Sequence, residues 1–309
     1  MTATSPDEKA VGAPVDRNSI LWSIAGDPRG MITGAAAGIL QLMLPGLGAA
    51  ITDHSDFFDD PYDRIFRSIP YIWRSIFSDD DTAGRQIRDF HTDIKGADDK
   101  GRSYHALNPD IYWWAHATFT WEFFRAHELF FPGRLSRRDK EQLYAETVTW
   151  YRRYGVSDRP VPRTLGEFWE KFDHIVDNEL ELTPAVSWVI EPSTNPGPSG
   201  RTRLPGPLGL LDGPVDRHNA DLMRVVVYGS MPDRLRRRFE FAWSNLDRAR
   251  FTAVCAALQA SGPAVHFGAL DILWPEGTPH LDPRNHRKVV VAGPNPSQRQ
   301  RRPRPATAH

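Results

Sequence analysis

The sequence predicts an all-α protein, and three observations carry that prediction. Apolar residues recur at helical spacing through most of the stretch from about residue 20 to 260. Capping residues, prolines and glycines punctuate these stretches where helices should start and stop. Strand-like sequence is confined to KVVVA (288–292), with VVVYG (225–229) ambiguous between strand and helix.

Residues 1–18 are polar, without the apolar core of a secretory leader, and read as a disordered N-terminus. GAAAGILQLMLPGLGAAI (34–51) is the most apolar segment, but its glycines and Pro45 interrupt it. That predicts a buried helix that kinks or ends at Pro45, not a membrane span. In DPYDRIFRSIPYIWRSIF, residues Ile65, Phe66, Ile69, Ile72, Trp73 and Ile76 form one helical stripe, and Pro70 should bend or divide it. SDDDTAGRQIRDFHTDIKG then opens with Ser78 or an aspartate as cap and stops at Gly96. Within it Ile87, Phe90, His91 and Ile94 fall on one face, which points an imidazole toward the core.

NPDIYWWAHATFTWEFFRAHELFFPG (108–133) predicts a long aromatic helix from Asn108–Pro109 to Pro132–Gly133. LSRRDKEQLYAETVTWYRRYGV (135–156) should be capped by Ser136 and end at Gly155. TLGEFWEKFDHIVDNEL opens with Thr164 and Glu167 in capping-box spacing. The proline- and glycine-rich segment 191–216 reads as a long loop, and helices resume over about 218–260. The arginine- and proline-rich residues 293–309 read as a solvated, disordered basic tail. The expected organisation is one helical domain over 19–292.

Composition bounds the function. The 309 residues carry a formal net charge of −1, so no global field draws the chain to nucleic acid or to an anionic membrane. A single cysteine, Cys255, excludes an internal disulfide, a multi-cysteine zinc site and a cysteine-held iron–sulfur cluster. Its apolar helical surroundings suggest an inert packed thiol. A cytoplasmic protein is expected, and nothing in the composition opposes a homodimer.

The chain lacks a nucleophile elbow, a phosphate-loop lysine motif and a dinucleotide glycine fingerprint. The informative residues are histidines and arginines on helices. His116 lies among Trp113, Phe119, Thr120 and Phe123, and His127 lies near the helix end. His54 with Asp53 and Asp56 looks acidic enough for a metal but also reads as a helix end and turn. No Glu-x-x-His motif occurs, which disfavours a carboxylate-bridged di-iron centre. A haem asks less: one axial histidine on a helix, an apolar slot and cations for its propionates. Arg64, Arg67 and Arg74 precede His91, and Arg85 and Arg88 flank it. Helical-wheel arithmetic puts Arg64 and Arg67 away from the isoleucine stripe, on either a solvated face or a polar pocket.

HSDFFDDPYDRIFRSIPYIW, RQIRDFHTDIKG, YHALNPDIYWWAHATF and FPGRLSRRDKEQLYAETVTWYRRYGV, in that order, resemble successive blocks of the MpaB-type oxygenase family. The latex-clearing rubber oxygenases are distant relatives of that family. The resemblance spans roughly 25–180, with a weaker echo in YGSMPDRLRRRFEFAW (228–243). It implies a globin-like multi-helix bundle with a haem pocket, b-type haem as cofactor, and oxidation of a small or apolar organic substrate by dioxygen or peroxide. It implies His91 as the iron ligand, with His116 in reserve and Arg64 and Arg88 beside the cofactor. A distal Arg-x-x-Lys-Thr element of the relatives corresponds here to Arg64, Arg67 and Ser68. Arginine stands for lysine and serine for threonine, so a lysine-gated iron does not carry over. A non-haem iron oxygenase, a haem carrier or sensor without turnover, and a haem-free helical binding protein remain the alternatives.

Overall fold

A computed structural model describes residues 12–54, 61–190 and 212–261, except for the side chains of 61–67, 212 and 214. Twelve α-helices and one two-stranded sheet occupy these residues, as the all-α expectation requires. The helices in order are α1 (Ile20–Ala25), α2 (Gly34–Leu42), α3 (Pro45–His54), α4 (Pro61–Phe77), α5 (Thr82–Asp89) and α6 (Pro109–Phe130). They continue with α7 (Arg137–Arg152), α8 (Leu165–Asn178), α9 (Pro184–Ile190), α10 (Asp212–Ser230), α11 (Asp233–Arg238) and α12 (Asn245–Ser261). Strands β1 (Lys95–Ala97) and β2 (Ser103–His105) pair antiparallel between α5 and α6.

Helix α6 is the axis of the core because it is apolar on nearly every side. Trp113, Trp114, Ala117, Phe123, Ala126 and Phe130 are all buried, facing several neighbours at once. Asn108 caps its start by accepting from the Asp110 amide at 2.9 Å, and Pro109 occupies the first turn, where no amide donor is needed. Against it lies α2, whose fully buried Ala36 and Ala37 permit close approach. The Trp114 indole donates to the Leu40 carbonyl at 3.1 Å, and Gln41 donates to the Ala115 carbonyl at 3.2 Å. Each bond removes a polar group from an otherwise apolar interface at little cost.

The segment around Pro45 turns as its sequence requires: α3 leaves the direction of the preceding helix by 98°. Among the described residues no single helix is long and apolar enough to cross a membrane. The caps of α7 and α8 also follow the sequence. Ser136 accepts from the Asp139 amide at 3.2 Å while Asp139 accepts from the Ser136 amide at 3.1 Å, and Thr164 accepts from the Glu167 amide at 3.2 Å. VVVYG lies in α10, with Val225, Val226 and Val227 buried. KVVVA, the basic tail and most of the 191–216 segment lie outside the described residues.

Three local expectations are corrected and one is narrowed: α4 runs through Pro70, so of a bend or a division there the division does not occur. An interior proline costs about 3 kcal/mol, which the burial of Tyr71, Trp73, Ile76 and Phe77 outweighs. The next helix stops at Asp89, so His91 lies just beyond it, and Gly96 belongs to β1. Helix α10 begins at Asp212, inside the segment read as loop. Finally, residues 12–18 are held in place instead of being free. Val15 is buried, the Gly12 amide donates to Asp81 at 3.1 Å, and Arg17 pairs with Asp79 at 2.6 Å.

Arg153 fastens this corner. Its guanidinium, wholly buried, donates to the carbonyls of Ala13 at 3.2 Å and Ser78 at 2.6 Å, and also to that of Asp80. It thereby fixes the α4–α5 connection and the N-terminal segment to the end of α7.

Candidate functional site

The site is built where α5 ends. Past Asp89 the helical ladder tightens: the His91 amide donates to the Arg88 carbonyl at 2.9 Å and the Thr92 amide to that of Asp89 at 3.3 Å. The chain then enters the β1–β2 hairpin, whose turn is organised by one carboxylate. Asp98 accepts from the amides of Lys100 (3.0 Å) and Arg102 (2.8 Å), and Gly101 takes the left-handed conformation at φ +76°. The Ala106 amide closes back on the Ile94 carbonyl at 2.9 Å. His91 therefore sits between a helix end and a pinned hairpin.

The imidazole of His91 is half-buried. Its Nδ1 lies 2.7 Å from the Ile87 carbonyl, which can only accept, so Nδ1 carries the proton and Nε2 is the basic nitrogen of the neutral ring. Its ring meets that of Tyr112 edge-on, with centroids 5.9 Å apart and planes at 81°. The adjacent Phe90 is 48% exposed, so the stripe read from sequence is not one buried face.

Tyr71 contacts Phe90 at 5.4 Å between centroids, one turn beyond Ser68 on α4. The α4 segment carrying Ser68 and the His91 turn are thus neighbours. Ser68 is half-buried, and the side chains of Arg64 and Arg67 lie outside the described set. Arg88 is engaged locally: its guanidinium pairs with Asp89 at 2.6 Å and borders Gly155, which has φ +65°.

His116 belongs to a different environment. It is buried among Trp150, Tyr151 and Tyr154, whose ring centroids lie 4.6, 5.1 and 5.8 Å away. Nε2–H donates to the Thr147 carbonyl at 3.0 Å, and Nδ1 has no hydrogen-bond partner among the described residues. Burial pushes its pKa down to about 3, so the ring is neutral. It lines a cavity of about 10 Å³ with Trp113, Thr120, Tyr144, Thr147 and Tyr151. That volume holds about one water molecule.

Tyr112, Tyr151 and Tyr154 join the two histidines. Tyr112 lies 6.4 Å from Tyr151 and 5.4 Å from Tyr154 between centroids. Tyr112 and Glu122 are the residues that sequence reasoning missed. The phenol oxygen of Tyr112 is buried and unpartnered among the described residues, and so is Oε2 of Glu122. Spacing offered a partial signal, since Tyr112 lies four residues before His116; burial without a partner is visible only in three dimensions.

The other acidic and histidine groups are structural in their contacts. His54 bonds the Lys95 carbonyl at 3.2 Å, and Asp53 accepts from Tyr104 at 2.6 Å. His127 stacks on Phe131 at 5.3 Å. Cys255 is a half-buried free thiol packed against the core. Among the described residues no three or more histidine, cysteine or carboxylate side chains converge as a metal-binding group.

The described residues thus form an all-α bundle around an aromatic core. The chain belongs to the family described as ER-bound oxygenase mpaB/B'/rubber oxygenase, catalytic domain, whose model matches residues 22–260. No curated protein and no solved structure matches it.

Proposed function

We propose that the protein is a b-type haem-dependent oxygenase of a small or apolar organic substrate, in which His91 would hold the iron and dioxygen or peroxide would be the oxidant. The observation that carries the reading is the Nδ1–H bond from His91 to the Ile87 carbonyl at 2.7 Å. Such a bond fixes ring orientation and raises the basicity of Nε2, the nitrogen that would ligate a metal. The half-exposed Phe90 beside it supplies apolar surface of the kind a porphyrin face covers. These residues fit a haem, which needs a single protein ligand and so no cluster of several metal-binding side chains. When bound, the haem supplies the redox chemistry of oxygen activation.

The chain's own residues then have distinct tasks. Ser68 lies on the α4 segment beside the His91 turn, at a position of the relatives' distal element. Arg64 and Arg67, at the positions of the relatives' distal element, would stabilise negative charge developing on oxygen. Arg88, and Arg64 in part, would offset carboxylate charge on the cofactor. His116 acts as a neutral core residue beside its one-water cavity, joined to the His91 turn through Tyr112 and Tyr151.

The test is the visible absorption spectrum of purified protein, ferric and reduced, beside His91→Ala and His116→Ala. A Soret band lost or shifted in His91→Ala and kept in His116→Ala is the expected result. No Soret band after haem is supplied, or a band lost only in His116→Ala, would overturn the assignment. Substrate-dependent oxygen consumption then separates turnover from haem carriage.

A further inference from the structure

Three side chains fasten the segment between α7 and α8 to the helices beneath it. Tyr144 of α7 donates its phenol proton to the Pro162 carbonyl at 2.6 Å, and Tyr151, further along α7, donates to that of Ser157 at 3.0 Å. Lys171 of α8 donates to the Pro160 carbonyl at 2.9 Å. The segment is therefore a strap laid over α7 and α8. Its Val161 side chain lines the cavity beside His116 and is only half-buried, so it stands between that cavity and the surface.

The wall under the strap is mixed. Trp113 and Phe168 are apolar, but His116 and Thr120, one turn apart on α6, bring polar groups to it. The Thr120 hydroxyl can both donate and accept, whereas Nδ1 of the neutral His116 ring can only accept. That nitrogen has no partner among the described residues. Cavities that stay dry are apolar, while a polar one of about 10 Å³ suits a single water with two or more bonding partners.

We infer that this cavity is a binding site for one internal water molecule, which donates to His116 Nδ1 and bonds to the Thr120 hydroxyl, and that Val161 is the gate through which it exchanges. An apolar guest could fill the volume but could not donate to the ring nitrogen. A bridging water serves a buried acceptor nearly as well as a direct hydrogen bond, at a small cost in entropy. The site involves only α6, α7 and the strap, and so stands apart from the haem reading.

The test is magnetic relaxation dispersion of water in solutions of the purified full-length chain, which counts internal waters and times their exchange. Wild type should hold one more long-lived water than Thr120→Val, which keeps the side chain's shape and loses its hydroxyl. Thr120→Ser should retain that water. Equal counts in wild type and Thr120→Val would overturn the site. Val161→Ala should shorten the residence time, down to loss from the long-lived class, and an unchanged time would overturn the gate. If Thr120→Val does not fold, wild type decides alone: cross-relaxation between water and the Thr120 methyl protons is expected, and its absence would overturn the site.

Discussion

His116 donates its Nε2 proton to the carbonyl of Thr147 at 3.0 Å, joining α6 to α7 inside the aromatic core. The bond accounts for one ring nitrogen only, and the other is sealed from solvent. A protonated ring would need an acceptor for that second nitrogen.

Acid should therefore destabilise the fold through this residue. The His116 pKa falls from 6.5 to about 3 on folding, because burial opposes the charged ring. Below pH 6.5 the unfolded chain takes up a proton that the folded chain refuses, so stability falls as pH falls toward 3. The slope approaches about 1.4 kcal/mol per pH unit from this group. Urea unfolding at pH 7, 6 and 5 of wild type and His116→Gln checks it. The glutamine variant should be less stable at pH 7, and the difference should shrink with acid. A pH-independent difference would refute the assignment of a neutral ring.

Glu122 works in the opposite direction. Burial raises its pKa well above 4.5, and its Oε2 has no partner among the described residues, so the folded protein holds a proton that the unfolded chain releases. Stability from this group falls as pH rises above 4.5 until the raised folded pKa is passed. Glu122→Gln removes the penalty while keeping shape. The variant should be more stable than wild type at pH 8, with the gain smaller at pH 5. Calorimetric melting at both values is the measurement, and a variant less stable at pH 8 would contradict it.

These buried groups mark the limit of what the sequence could disclose. The starts of α6, α7 and α8 were legible because Asn108, Ser136 and Thr164 act on amides two or three residues away, and local chemistry leaves local marks. The bend at Pro45 was legible for the same reason. The hairpin after His91 was not. Its strands, KGA and SYH, are three residues each and show no alternation, and the Asp98 turn holds them. At Pro70 the sequence left a bend and a division both open, and the helix continues because a buried face outweighs the local cost. His91 could be singled out from sequence, but its bond to Ile87 and its contact with Tyr112 depend on where the helix stops.

The hairpin should matter to the site because it fixes the chain on the far side of His91. Asp98→Ala removes the acceptor shared by the Lys100 and Arg102 amides and by the Arg102 guanidinium. Faster hydrogen–deuterium exchange is expected across residues 92–107, with the core helix α6 unchanged. Unchanged exchange in the hairpin would show that the strand pairing holds the turn without the carboxylate.

Gly84 tests the corner that supports α5 from its other end. A Cβ at this position would lie 2.5 Å from the backbone oxygen of Arg153 and 2.8 Å from its carbonyl carbon. The obstacle is backbone, so no side-chain rotation relieves it, and α5 must move away from the end of α7. That shift would strain the bonds from the Arg153 guanidinium to Ala13 and Ser78, and the Gly12 amide to Asp81. Alanine in a helix is otherwise favoured over glycine by about 1 kcal/mol. Gly84→Ala should nevertheless destabilise, by about 1–3 kcal/mol, the usual cost of overpacking. Chemical denaturation measures the sum of the two effects. A stabilised Gly84→Ala would mean that α5 and the end of α7 do not approach this closely, and that the turn bearing His91 is held by the hairpin alone.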